Sequence, residues 1–172
     1  MSVNRPIEID ANGNLKEIVP LAASAGVADA NKLVQTDSNG LLDPSFFPAG
    51  FGDDVENMPS FVNLAAGEFV NIFLDTGVAK ARLADASDIS TRADGFVLDG
   101  VTAPAAVNVY RRGLNNALAG LTIGSRYFLS TTPGDVTTTA PSGDGEIVQE
   151  IGVATTATAI DFERTRPVIK TA

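Results

Sequence analysis

The chain has no cysteine, no histidine and no tryptophan. Without cysteine there is no disulfide framework, no thiolate nucleophile and no zinc–thiolate site. Without histidine, a Ser-His-Asp triad, a Cys-His pair and histidine-ligated zinc are all excluded within one chain. Aromatic residues make up 6% of the sequence, so the ring platforms that usually hold sugars reduce to Tyr110 and Tyr127. Positive charge is also scarce. Twelve Lys and Arg stand against 21 Asp and Glu, for a net charge of −9, so most of the surface repels a polyanion and nucleic-acid binding is disfavoured. No apolar run approaches membrane-spanning length, and the opening "SVNRPIEID" lacks both the basic start and the apolar core of a secretory signal. The expectation is a chain made soluble in a host cytoplasm, with no membrane partner.

What is present is a 44% hydrophobic chain of 172 residues, long enough for one ordinary domain plus an extension. Ala and Val dominate its apolar residues, which predicts a core of small, branched and aliphatic side chains. From residue 68 onward the pattern is that of short strands. "EFVNIFLD" (68–75) and "GVAKARLAD" (77–85) meet at a tight "DTG" turn, and "DGFVLDGV" (94–101), "AAVNVYRRG" (105–113) and "SRYFLS" (125–130) continue the series. "EIVQEIGVATTATAIDFE" (146–163) predicts two strands around a turn near 155–158. Gly and Pro mark the joints and no helical period runs long, so the expected fold is all-β, with a β-sandwich or small β-barrel over 61–172. Residues 1–60 read differently, as an extended arm with short hairpins and a Gly/Pro-marked linker. An isolated hairpin is marginal in water, so such an arm must dock on something.

Two stretches of that arm share one plan. "DANGNLKEIVP" (10–20) and "DSNGLLDPSFFP" (37–48) each run Asp, any residue, Asn, Gly, any residue, Leu. Alternating oxygen ligands invite a calcium reading, but the twelfth positions of the two loops are Leu21 and Pro48, where a helix–loop calcium site needs Glu. The turn chemistry is sufficient: Asp10 and Asp37 accept backbone N–H groups, and Asn12-Gly13 and Asn39-Gly40 tolerate positive φ. Each unit then predicts a hairpin that returns Leu15 onto Ile9, or Leu41 onto Val34. No metal and no cofactor are expected.

"KLVQTDSNGLLDPSFFPAG" (32–50) resembles a segment of tailed-bacteriophage structural proteins, in which Lys-x-Val-x-x-Asp-x-x-Gly-x-Leu-Asp-x-Ser-x-x-Pro links an N-terminal arm to the rest. Asp37, Gly40, Leu42, Asp43, Ser45 and Pro48 fit that string. "DASDISTRADGFVLDGV" (85–101) and the stretch 117–163 are similar to a β domain of phage head-decoration, head-fibre and tail-fibre proteins. The resemblance implies a non-enzymatic capsid decoration, or cement, protein on the capsid exterior, with the major capsid protein as partner and self-association as a homotrimer. The same modules occur on fibres and baseplates, so a tail-fibre or baseplate receptor-binding module is the alternative.

Paired carboxylates are the one catalytic device the composition leaves open. Asp85 with Asp88 and Asp94 with Asp99 are candidates, yet both pairs have the Gly-flanked, turn-like context of solvated caps, so no catalytic residue is assigned. "SGDGE" (142–146) lacks the Lys and the helix of a phosphate loop and reads as a turn. The expected interface residues are therefore Asp10, Asn12, Gly13, Leu15, Asp37, Asn39, Gly40 and Leu42 of the two turn units. To these are added the aromatic group Phe46, Phe47 and Phe51 as anchors, and Arg164 and Arg166 of the tail for docking on an acidic capsid surface.

Overall fold

The structure, a computed structural model, describes residues 6–36, 40–42, 46 and 54–171. Its strands are β1 (Ile7–Ile9), β2 (Leu15–Glu17), β3 (Val55–Pro59), β4 (Phe69–Asp75), β5 (Val78–Leu83), β6 (Gly95–Phe96) and β7 (Ala106–Tyr110). They continue with β8 (Gly113–Asn115), β9 (Arg126–Leu129), β10 (Val136–Thr137), β11 (Ile147–Val148), β12 (Glu150–Thr156), β13 (Ala159–Phe162) and β14 (Val168–Ile169). The protein is all-β, and the only helical segments among the described residues are short 3-10 turns. The chain divides into two compact units, Met1–Gly52 and Asp53–Ala172. β3 thus belongs to the second unit, although its sequence lies in the stretch that reads as linker.

In the second unit, one five-stranded antiparallel sheet has the order β3-β7-β6-β4-β5. Its alternation sends Val107 and Val109 of β7 inward, where they meet Met58, Val70, Ala81 and Val97. The two outer strands of this sheet are tied together: Ser60 and Ala81 form a parallel bridge, and Phe61 N–H donates to the Ala81 carbonyl at 2.7 Å. The sheet therefore curls into a small barrel, which shields edges that would otherwise offer unpaired backbone groups. Ala81 and the Val side chains fit this narrow interior, in line with the small-residue core the composition predicts.

The second five-stranded sheet, β10-β9-β12-β13-β8, packs on the outside of that barrel. Phe69 and Phe96 from the first sheet meet Phe162 of β13 at ring-centroid distances of 5.5 and 5.8 Å, and Tyr110 stacks on Phe96 at 5.4 Å. Leu129, Ile151 and Ile160 complete this layer, all fully buried. Phe69 and Val70 are adjacent yet both buried because β4 is covered on both faces, one by the second sheet and one by the barrel interior. Barrel and two-layer packing thus coexist in one unit.

At Gly152 the φ is +150°, and an added Cβ would run into the Asp161 carbonyl oxygen. The strand register on both sides of β12 shifts nearby, between Glu150 and Gly152 and between Ala154 and Thr156. Only glycine lets β12 pass this close to β13 while bulging. β11 and β14 form a separate antiparallel pair, so the tail 164–170 is strapped onto the β unit.

Among its described residues the first unit has no comparable interior. β1 and β2 form a hairpin in which Ile9 faces Leu15 and Glu8 faces Lys16. Leu21 and Val34 make a parallel bridge, and Asp29, in the 3-10 turn Val27–Asp29, accepts Ala25 N–H at 2.6 Å and the Lys32 ammonium at 2.8 Å. No described residue of this unit is buried.

Candidate functional site

The first turn unit folds as its sequence predicts. Asp10 Oδ1 accepts the backbone N–H groups of Asn12 and Asn14, each at 2.9 Å, and Gly13 takes a φ of +81°. These bonds fix the turn, so β1 and β2 pair with Ile9 opposite Leu15. Opposed residues share a face, as do positions two apart on a strand. Ile7, Ile9 and Leu15 therefore share one face of the hairpin, with Glu17 opposite Ile7 at its end, and the three apolar side chains are 65%, 72% and 75% exposed. No described residue of this unit buries them.

The backbone N–H groups of Asn14, then Asn12, hold the Asp10 carboxyl below its usual range. These bonds favour the ionised form, so their contribution is complete above the ordinary carboxylate range and is lost as pH falls through the lowered value. Followed by NMR, the amide resonances of Asn12 and Asn14 are expected to move together, with a midpoint below that of an unconstrained Asp. A midpoint at the ordinary Asp value would mean that the cap does not form in solution.

The second turn unit is described only in part. Gly40 has the expected positive φ, +79°, and Leu41 and Leu42 are exposed. The backbone of Val34 is bridged to Leu21, flanked by Leu21 N–H to Leu33 O at 2.8 Å and Gln35 N–H to Leu21 O at 2.9 Å. Asp37 and Asn39 lie outside the described residues, as do Phe47 and Phe51 of the aromatic group. Phe46 is half-buried.

Arg164 and Arg166 do come together, in company that the sequence does not announce. With Arg92, Ile89, Thr165 and Pro167 they line a cleft of about 470 Å³ on the β unit. Its position is set by the fully buried Gln149. The Gln149 side chain accepts Ala93 N–H and donates to Ala93 O, both at 2.8 Å, and reaches Thr165 O at 3.4 Å. Thr165 is further held by its hydroxyl, which donates to Glu150 O at 2.6 Å. The neighbours of Arg92 and of both tail arginines are thus fixed to one buried amide.

Asp94 corrects another expectation. It reads as a solvated turn cap beside Asp99, but it is 3% exposed. Its Oδ2 accepts Asn71 Nδ2 at 3.0 Å and Ile72 N–H at 3.1 Å, while Oδ1 faces Arg164 Nη2 at 3.0 Å and Arg92 Nε at 3.3 Å. The two guanidinium contacts are ion pairs without hydrogen-bond alignment. Asp99 is exposed. Asp85 and Asp88 behave as the sequence predicts: Asp85 accepts Ser87 N–H at 2.9 Å, and Asp88 accepts Ser90 N–H at 2.7 Å at the start of the 3-10 turn Ile89–Thr91. The Ser90 hydroxyl and then its N–H lower the Asp88 carboxyl.

Most other cations of the β unit already have partners. Lys80 pairs with Asp75, Arg126 with Glu150 and Arg111 with Glu56, and Arg82 lies over the Phe73 ring while donating to Asn71 and Ser90. Among the described residues, no group of three or more Asp or Glu could hold a metal ion, and no helix is long and apolar enough to cross a membrane. The fold and these sites define an all-β chain with an N-terminal hairpin that exposes Ile7, Ile9 and Leu15, and a preformed arginine cleft. No protein-family model and no curated protein matches the sequence.

Proposed function

We propose that the chain is a non-enzymatic structural protein of a virion, a decoration or cement protein that attaches to the outer capsid surface through its N-terminal arm and stabilises the shell. The observation that carries this reading is the lack of an interior among the arm's described residues: Ile7, Ile9 and Leu15 share one face of the β1–β2 hairpin and stay exposed. A two-stranded hairpin is marginally stable alone. Covering each of these side chains contributes roughly 1.5–3 kcal/mol, which favours a surface that receives them. The phage-like string at 32–50 lies in the same unit and supports a capsid as that surface.

The mechanism is mechanical. Each attached chain adds buried interface that exists only in the assembled shell, so mass action favours assembly. Homotrimerisation through the β units would multiply this effect by presenting three arms at once. Immunogold electron microscopy of intact phage particles, with antibody against this chain, tests the location. Gold over the head is the expected result. Gold at the tail tip would replace the reading with a fibre or baseplate module, and unlabelled particles would remove the virion reading altogether.

A further inference from the structure

We infer that the cleft between Arg92, Arg164 and Arg166 is a recognition site for a carboxylate side chain on an acidic segment of a protein partner. Three guanidinium groups meet one carboxylate there, that of Asp94, which leaves two positive charges uncompensated on a chain of net charge −9. Neither arginine facing Asp94 Oδ1 is aligned to donate to it; Arg92 Nη1 makes a long bond to the Ile89 carbonyl at 3.5 Å, and the remaining N–H groups of Arg92 and the fork of Arg164 can turn to a second acceptor, the geometry that suits a carboxylate. Arg166 has no hydrogen bond or ion pair among the described residues.

The site is also preorganised. Buried Gln149 fixes Ala93 next to Arg92 and reaches Thr165 between the two tail arginines, so a ligand need not order the backbone that carries them. Ile89 and Pro167 give the cleft apolar walls, which fit the methylene stem of a glutamate. A nucleic acid is disfavoured: it needs a track of free cations, and Lys80, Arg111 and Arg126 are each paired with a carboxylate. The cleft's chemistry stands by itself, and only the identification of the partner as a capsid protein rests on the virion reading.

The test is fluorescence anisotropy of a labelled tetraglutamate peptide with the full chain. Net repulsion between peptide and protein means that saturable binding reports a local site. Arg166→Gln removes one fork without touching the Asp94 ion pairs, whereas Arg164→Gln would strip a partner from a buried carboxylate. The expected result is saturable binding that weakens about fivefold or more in Arg166→Gln and is unchanged in Arg112→Gln, which lies outside the cleft. Equal losses in both variants, or no saturable binding by the wild-type chain, would overturn the assignment. So would inorganic phosphate that displaces the peptide at concentrations below the peptide's own Kd, since the site would then be one for a small inorganic anion. Failed peptide binding by a chain that still labels particles removes the cleft and leaves the virion reading; the converse result removes only the virion reading.

Discussion

Phe96→Ala is expected to destabilise the β unit by about 3–5 kcal/mol, a large part of the roughly 5–15 kcal/mol that holds a domain together. The Phe96 ring is 1% exposed and stands where the barrel meets the second sheet, in contact with Phe69, Phe162 and Tyr110. It also sits on the two-residue β6, whose pairing with β4 runs through Phe69 and Gly95 and whose pairing with β7 runs through Tyr110. Truncation leaves a cavity between the two layers, and the short strand has no other large side chain to hold it in register. In thermal unfolding followed by far-UV circular dichroism the midpoint should fall by on the order of 10 °C or more. Leu74→Ala, at a side chain 72% exposed, should change stability by less than about 0.5 kcal/mol. Similar effects from the two substitutions would mean that the layers are not joined through Phe96.

Local chemistry in the sequence predicts local structure well here. The alternation in 68–75 and 77–85 places β4 and β5, and the "DTG" between them becomes a turn in which Thr76 and Gly77 both take positive φ, 49° and 86°. The Asp-x-Asn-Gly unit likewise predicts the Asp10 cap and the Ile9–Leu15 pair, because every group involved lies within a few residues. What the sequence does not convey depends on partners far along the chain. The tail strand β14 is recognisable only through β11, and barrel closure depends on Ser60 finding Ala81. Asp94 has the Gly-flanked context of a turn cap, and only Asn71 and Ile72 across the sheet make it a buried acceptor. Arg92 joins Arg164 and Arg166 through Gln149, a residue with no motif to mark it.

The second large effect concerns the arm. Removing residues 1–52 should leave the β unit folded with an unchanged melting temperature. Every residue of both core clusters, from Met58 to Phe162, lies in the remaining portion, and no described residue of the arm is buried. Attachment, by contrast, should be lost, because the exposed face of Ile7, Ile9 and Leu15 is removed with the arm. At roughly 1.5–3 kcal/mol for each side chain covered, docking of all three on the proposed partner would account for about a thousandfold or greater difference in affinity. A folded chain that no longer binds separates the two roles: the β unit as the body, the arm as the attachment.

The most direct measurement is co-sedimentation of the full chain, and of residues 53–172 alone, with phage particles produced without this protein. The full chain should pellet with the particles while the truncated chain, folded by circular dichroism, remains in the supernatant. A truncated chain that pellets as well as the full one, or a full chain that stays in solution, would contradict attachment through the arm.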